Sequence, residues 1–507
     1  MSTVYGASAA RDRQGWFFGL TGPQLFLVVG SAIPAWLAMA VGEWKALFGL
    51  LPLWGVSSAL ICIPVRGWSA AQWIGVLVRH LVARALGWSR WQSRAAVGDV
   101  DDPREADLPG VLAGVRIHDG PPFSGQLTRP ALIQDRSART WAATARITHP
   151  GVGMSDTLDR RLMGSGLAEL VEAASAAGQI SLIALQVRTV PDDGTRRAAW
   201  VRQHARVTEP ELSAEIHHQL DAAISGAAVR TEAFVTVVVR EDTIARDARR
   251  AGRGVTGRAR ILHGLLAEVE ARLVGVIGCT EVAWLGAADL ATVIRTGFEP
   301  GDAAALADAS LQRDRDGVAT GVATGVPVAA AGPTTASTSL RSYRHGEWLS
   351  VSTSILLPRN GAVLGALARA LVPSEMGERR AITVFYRPVG QRSADRSTGR
   401  AEMSAAMAAE MRHKVGRVER ARDRRASDQV RETDEKLAAG RSLVRVSSVL
   451  SVTVPASWGS QDYGRRLDAT VRLCGFSPLP LDGAHDAAFA AATIPLGIGV
   501  PRQRRDR

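Results

Sequence analysis

From Gln14 to Gly42 the chain carries no charged side chain, and after Glu43-Trp44-Lys45 a second uncharged run covers Ala46 to Val65. Twenty residues of helix span roughly 30 Å, the thickness of a bilayer's hydrocarbon core. Inside lipid every backbone N–H and C=O must be satisfied within the segment, so both runs are predicted to be helices. The apolar stretch of the first begins near Leu25, and the linking loop allows only a tight hairpin. Pro34 and Pro52 fall inside the spans, where helices tolerate proline better than in water. A cleaved signal peptide fits poorly, because a second span follows at once with no small-residue cleavage site between them.

Orientation follows from arginine. Arg11 and Arg13 precede the first span, and Arg66, Arg79, Arg84, Arg90 and Arg94 follow the second, whereas the loop holds only Lys45 beside Glu43. The positive-inside rule places both flanks in the cytoplasm. Residues 69–91 then place Ile74, Leu77, Val78, Leu81, Val82 and Ala85 at helical spacing, with Trp73, Trp88 and Trp91 nearby. An amphipathic helix lying on the inner leaflet is preferred to a buried one, because tryptophan and arginine are enriched there. Eight of the thirteen tryptophans precede residue 92.

These patterns divide the chain into a cytoplasmic N-terminus (1–22), a two-helix transmembrane hairpin (23–66) and an interfacial amphipathic helix (67–97). A cytoplasmic α+β region follows in two halves, 98–300 and 339–500, with a flexible linker at 301–338 and a basic tail at 501–507. Gly98 to Gly110 is the polar boundary. Strands are predicted at 141–148, 180–190, 234–240, 279–284, 341–354, 381–386 and 443–454. Helices are predicted at 156–177, 210–227, 287–296, 362–371, 400–439 and 463–473, beside an Arg-rich helical region after residue 240. The run FVTVVVR at 234–240 is the clearest strand, and GVATGVATGVPVAAAGP at 317–333 reads as a linker. Strands separated by single helices suggest ferredoxin-like halves.

The net charge of +12 raises the question of nucleic acid, yet only Lys45, Lys414 and Lys436 are lysines and the arginines are interleaved with Asp and Glu. That patterning is expected of a solvated surface. A phosphate-binding loop needs a glycine-rich turn followed by lysine, and none of the three lysines follows one. Gly164-Ser165-Gly166 falls inside a predicted helix. Cys62, Cys279 and Cys474 have no metal or disulfide spacing, and His217-His218 is the only adjacent histidine pair. Asp101-Asp102 and Asp192-Asp193 sit in turn-like sequence. No HExxH or GxSxG is present. The expectation is a non-enzymatic membrane protein with no catalytic residues, no cofactor and no metal.

Four N-terminal stretches carry a resemblance: Tyr5-Gly6, GWFFGLTGPQ (15–24), IPVRGWSAAQWI (63–74) and GWSRWQSRAAVG (87–98). They are similar to membrane proteins encoded in actinobacterial conjugative elements, and the hairpin resembles the small inner-membrane subunit of VirB-type type IV secretion systems. The soluble part resembles the N-terminal, non-motor region of the conjugation ATPase. Here the similarity lies in Ser342 to His345, Tyr386-Arg387-Pro388, Leu437 to Gly440, Gly475-Phe476 and Ile494 to Gly497. Together the resemblances span nearly the whole chain. They imply a subunit without a RecA-like motor that anchors a separate P-loop ATPase within an oligomeric apparatus, any nucleic-acid contact being indirect. Two alternatives remain: a core membrane subunit of a type VII secretion system, or a membrane-tethered nucleic-acid-binding protein.

Overall fold

The computed structural model describes residues 22–62, 64–65, 68–123, 129–151, 155–191, 201, 204, 210–225, 229–307, 309, 326–358, 362, 364–390, 428, 432, 434–435, 437–438 and 442–499. The chain divides into two compact units. One comprises residues 8–86 and 389–443; the other comprises 1–7, 87–388 and 444–507.

The first unit begins with α1 (Gly22–Val41) and α2 (Trp44–Cys62). Gly42, with φ +78°, makes the tight turn between them, a conformation that L side chains rarely adopt. The helices pack together, and Trp54 Nε1 donates to the Val28 carbonyl at 3.2 Å. A two-residue ladder, β1 (Pro64–Val65) with β2 (Trp68–Ser69), leads into α3 (Ala70–Ala85). Most of the predicted 400–439 helix lies outside the described residues.

The second unit begins with β3 (Arg90–Gln92), so the interfacial helix expected over 67–97 ends at Ala85 and its last residues enter a sheet. Then come α4 (Arg94–Val97), β4 (Val115–Asp119), β5 (Ala131–Asp135), β6 (Thr140–Thr148), α5 (Thr157–Ala177) and β7 (Ile180–Pro191). Next are α6 (Glu211–Ser225), β8 (Val229–Arg240), α7 (Glu241–Ala251), α8 (Gly254–Arg272), β9 (Glu281–Trp284) and α9 (Ala287–Phe298). The remainder comprises β10 (Thr335–Thr338), β11 (Tyr343–His345), β12 (Trp348–Leu356), β13 (Arg379–Pro388), β14 (Val444–Pro455), α10 (Ser460–Leu473), β15 (Ser477–Pro480) and α11 (His485–Thr493).

Among the described residues thirteen strands, all paired antiparallel, form one sheet that runs through both 98–300 and 339–500. The sheet nevertheless contains the same arrangement twice. In the first copy neighbours run β9–β6–β8–β7; in the second they run β15–β12–β14–β13. Each copy follows an antiparallel pair, β4–β5 or β10–β11, and is followed by a helix, α9 or α11. The copies join where β7 pairs with β13, Ala381 opposite Arg188 and Tyr386 opposite Ile183. One end of the sheet therefore holds Thr140, Ile180, Arg240, Pro388 and Val444; the opposite end holds Pro191, Val229 and Arg379.

Both faces of this sheet are covered, which explains the nearly unbroken apolar sequence of β8. Phe234 and Val238 face one side, in a cluster with α9 and α11. Val235, Val237 and Val239 face the other, under α5 and α8. A third cluster packs α10 on β12 and β14 through Leu467, Val471, Leu450 and Val452.

Three further expectations are corrected. The helix expected at 362–371 is a short 3-10 turn at Ala368–Leu371, because Gly365 takes φ +86° and interrupts it. The strand expected at 341–354 is a hairpin, turning at Gly346 (φ +54°). Within the linker expected at 301–338, Val328, Ala329, Ala331 and Ala336 are buried core residues and Thr335–Thr338 is β10.

A row of buried polar groups crosses the α9/α11 face. Gln186 of β7 and Thr383 of β13 both donate to the Ala492 carbonyl, at 3.1 and 2.9 Å. Thr144 donates to the Pro495 carbonyl at 2.6 Å. Gly497 then passes so close to β8 that a Cβ would lie 2.5 Å from Val238 Cγ2. Gln186→Leu or Thr383→Val alone leaves Ala492 one donor and is expected to cost about 1 kcal/mol. The double variant strips a buried carbonyl, so its loss should exceed the sum by about 1 kcal/mol, measured as denaturation midpoints in detergent. Additive losses would show that the carbonyl does not couple the two copies.

Candidate functional site

The chain's unusual feature is what the first unit leaves uncovered. Phe26 (78%), Trp36 (71%) and Phe48 (72%) are largely exposed, as are Leu27, Ile33, Leu37, Leu53 and Val56. Soluble monomers rarely present contiguous apolar area on this scale. By length and composition α2 can cross a membrane; the described apolar part of α1, Phe26–Val41, is shorter. On α3, Leu77, Val78, Leu81 and Val82 form an exposed apolar stripe, and Leu86 after it is exposed as well.

The second unit concentrates its buried charge beside the β7–β13 pairing. Arg188 donates through Nε to Glu232 at 2.7 Å, through Nη1 to the Val293 carbonyl at 2.9 Å and through Nη2 to Thr296 Oγ1 at 3.0 Å. Burial would raise the Glu232 carboxyl, but Arg188 and Arg230 outweigh it and hold the group down at about 2. On the neighbouring strand Arg380 is bound by Glu378 at 2.7 Å, the Ala370 carbonyl at 3.1 Å and Ser374 Oγ at 2.7 Å. Between the two arginines lies a cavity of about 20 Å³, lined also by Thr189, Gly297 and Thr493. That is room for about one water molecule. Arg188 and Arg380 are each committed to fixed partners, and these contacts tie neighbouring elements together.

His345 completes the polar interior. Its Nδ1 lies 2.6 Å from the Phe298 carbonyl and its Nε2 2.8 Å from Ser350 Oγ, which is 2.7 Å from Thr453 Oγ1. The first contact requires the Nδ1–H tautomer, leaving Nε2 to accept from the serine. Burial pushes the imidazole down to about 3. Its ring packs 4.3 Å from that of Phe489, which also meets Tyr343 and Phe298.

Residues noticed in the sequence take structural places. Tyr343, His345, Tyr386, Phe476, Ile494 and Leu496, which carry the soluble resemblance, are all buried. Gly164 and Gly166 lie within α5, where Gly166 lets Val276 approach closely. Cys279 is buried, and none of the three cysteines is in a disulfide. His217-His218 is on exposed α6 and Asp101-Asp102 precedes β4; Asp192-Asp193 lies outside the described residues. Among the described residues no group of three or more His, Cys, Asp or Glu side chains is placed to hold a metal ion. A larger hollow of about 330 Å³ lies between Ala96, Leu306, Val326 and Thr334, where Arg295 is held by Asp302 and the Gly332 carbonyl. Sequence reasoning did not find the Arg188–Glu232 pair, because partners 44 residues apart carry no local signal, nor the Arg380–Glu378 pair, whose members lie two residues apart but whose burial only the fold reveals. No protein-family model matches the chain, and no curated protein is similar to it in sequence.

The buried histidine and carboxylate both make the fold acid-labile. The folded-state pKa of His345 lies below its ordinary 6.5, so the unfolded chain takes up a proton first and stability is lost as pH falls from about 6.5 towards about 3. The Glu232 pKa is also lowered, from 4.5 to about 2, so its contribution is full above pH 4.5 and is lost on descent through that interval. In unfolding measurements below about pH 6.5, His345→Gln is expected to reduce the slope by about 1.4 kcal/mol per pH unit, one proton's worth. An unchanged slope would mean that His345 does not stay neutral in the folded chain.

Proposed function

We propose that the chain is a non-catalytic subunit of a conjugative, type IV-like transfer apparatus, held in the cytoplasmic membrane by α1 and α2 with both ends in the cytoplasm. The observation that carries the membrane part is the exposed apolar surface of α1, α2 and α3, with no buried residue on α2, whereas the second unit builds three buried apolar clusters. A two-span hairpin accounts for the tight turn at Gly42 and the arginine-rich flanks. An interfacial position for α3 accounts for its exposed stripe.

The α+β unit is read as two ferredoxin-like halves fused side by side, since each copy has the β-α-β-β-α-β order of that motif, with a 3-10 turn replacing one crossover helix. Its role is to receive a separate hexameric P-loop ATPase. The resemblance to conjugation proteins supports this role, as does the commitment of the buried charges to fixed partners. On this reading the soluble motif residues, buried as they are, serve the architecture of a docking platform rather than chemistry.

Three measurements test the reading in turn. The protein should remain in the membrane pellet after alkaline carbonate washing, and reporter fusions after Glu43 and after Arg507 should report opposite sides of the membrane. Tagged full-length protein, purified in mild detergent at low salt, should bring down a P-loop ATPase in stoichiometric amount. Release by carbonate removes the anchoring role; recovery without an ATPase removes the docking role while leaving the anchor.

A further inference from the structure

We propose that the α7 end of the sheet is a docking surface for anionic lipid headgroups. This inference rests on the membrane reading above and goes beyond it by assigning a lipid-binding role to the α+β unit itself.

The β5–β6 turn and the start of α7 lie at the same end of the sheet, where Thr140 pairs with Arg240 and the Glu241 amide donates to the Arg139 carbonyl. The far end of α7 stays there too. Arg258, in the second turn of α8, reaches back to Glu241 and lies 5.2 Å over the Trp141 ring. Ile244 and Ala248 anchor the inner side of α7, so its outer side cannot roll inward.

On that outer side Arg246, Arg249 and Arg250 are exposed, as are Arg253 after the helix and Arg136 and Arg139 in the neighbouring turn. Their surroundings do not neutralise them. Glu241 is taken by Arg258 and Asp242 by Arg240, while the Asp135 side chain accepts from the amides of Ser137 and Ala138. Asp247 remains as the local carboxylate against six cations, none of which has a carboxylate partner among the described residues. Two of the arginines, Arg249 and Arg250, also complement the helix dipole, but that role needs no more than the last turn. Arg136, Arg139, Arg246 and Arg253 lie outside it.

Charge complementarity to the anionic surface of the membrane in which the chain is proposed to sit sets the occupant, and two features of the surroundings set how it binds. Among the described residues, no large apolar side chain is exposed within 112–157 or 229–272, so binding there is electrostatic and shallow, without insertion. No aromatic ring is exposed beside the arginines for bases to stack on, as single-stranded nucleic acid would use.

The test uses the full chain in nanodiscs of phosphatidylcholine, alone or mixed with phosphatidylglycerol, and reads amide hydrogen exchange over residues 241–253. Anionic discs are expected to slow exchange there on the order of threefold relative to neutral discs, and high salt should abolish the difference. R246E/R249E/R250E should remove it, and so should R246Q/R249Q/R250Q, which spares the helix end from added negative charge. Exchange in β8 must be unchanged in both variants, showing that the fold survives. Equal exchange in the two kinds of disc would overturn the proposal. So would protection in neutral discs by added duplex DNA with none from anionic lipid, which would assign the surface to nucleic acid. A chain that does not enter discs at all would refute the membrane reading instead.

Discussion

The second unit depends on a single shared acceptor. Two similar four-stranded arrangements meet along β7 and β13, and the Ala492 carbonyl accepts a hydrogen bond from each side of that junction. A buried carbonyl without donors costs more than the average hydrogen bond contributes, so strand pairing and C-terminal segment hold each other in place. The constraint propagates outward. With Ala492 fixed, Pro495 is positioned over Thr144 and Thr236, and Gly497 slides past Val238 where no side chain would fit. Phe489, one turn earlier on α11, then closes against Tyr343, His345 and Phe298.

Much of this was legible locally. The unbroken apolar run of β8 marks a strand covered on both faces, and α5 is announced by Asp156, whose side chain caps the Asp159 amide, and by Gly178 at its end. What misled was composition without period. The small residues of 326–338 look like a linker, yet Val328, Ala329 and Ala331 pack in the core because small side chains also allow close approach. Strands β4 and β5 went unseen because five residues such as Val-Arg-Ile-His-Asp carry too little alternation. The pairing of β7 with β13 leaves no trace in either strand, since it is set by contacts between residues nearly 200 positions apart. The candidate site divides the same way. The uncharged runs of α1 and α2 are plain in the sequence, whereas the partners of Arg188 and Arg380 emerge only from the fold.

The two units place similar residues in opposite ways. Phenylalanine in the second is sealed, as at Phe234, Phe298 and Phe385; in α1 and α2 it is displayed, as at Phe26 and Phe48. Apolar groups gain free energy in water when they are removed from it, a gain that the second unit's core takes and that α1 and α2 leave open. The polar interior of the sheet shows the complementary rule. Arg380 and Glu378 are almost fully buried, which is tolerable only because the Ala370 carbonyl and Ser374 take the remaining donors.

The antiparallel pairing of β7 with β13 has a mechanical consequence. The β7–β8 excursion, which carries α6 with Leu212, Ile216 and Leu220 outward, leaves from one end of the sheet. The β13–β14 excursion leaves from the other. Strands of ten to twelve residues separate the two exits by about 30–40 Å. Tension applied between them runs along the strands, so the hydrogen bonds of the junction are strained together in shear rather than peeled one after another. The sheet is thus built as a stiff strut, able to pass force from one excursion to the other without opening its own middle.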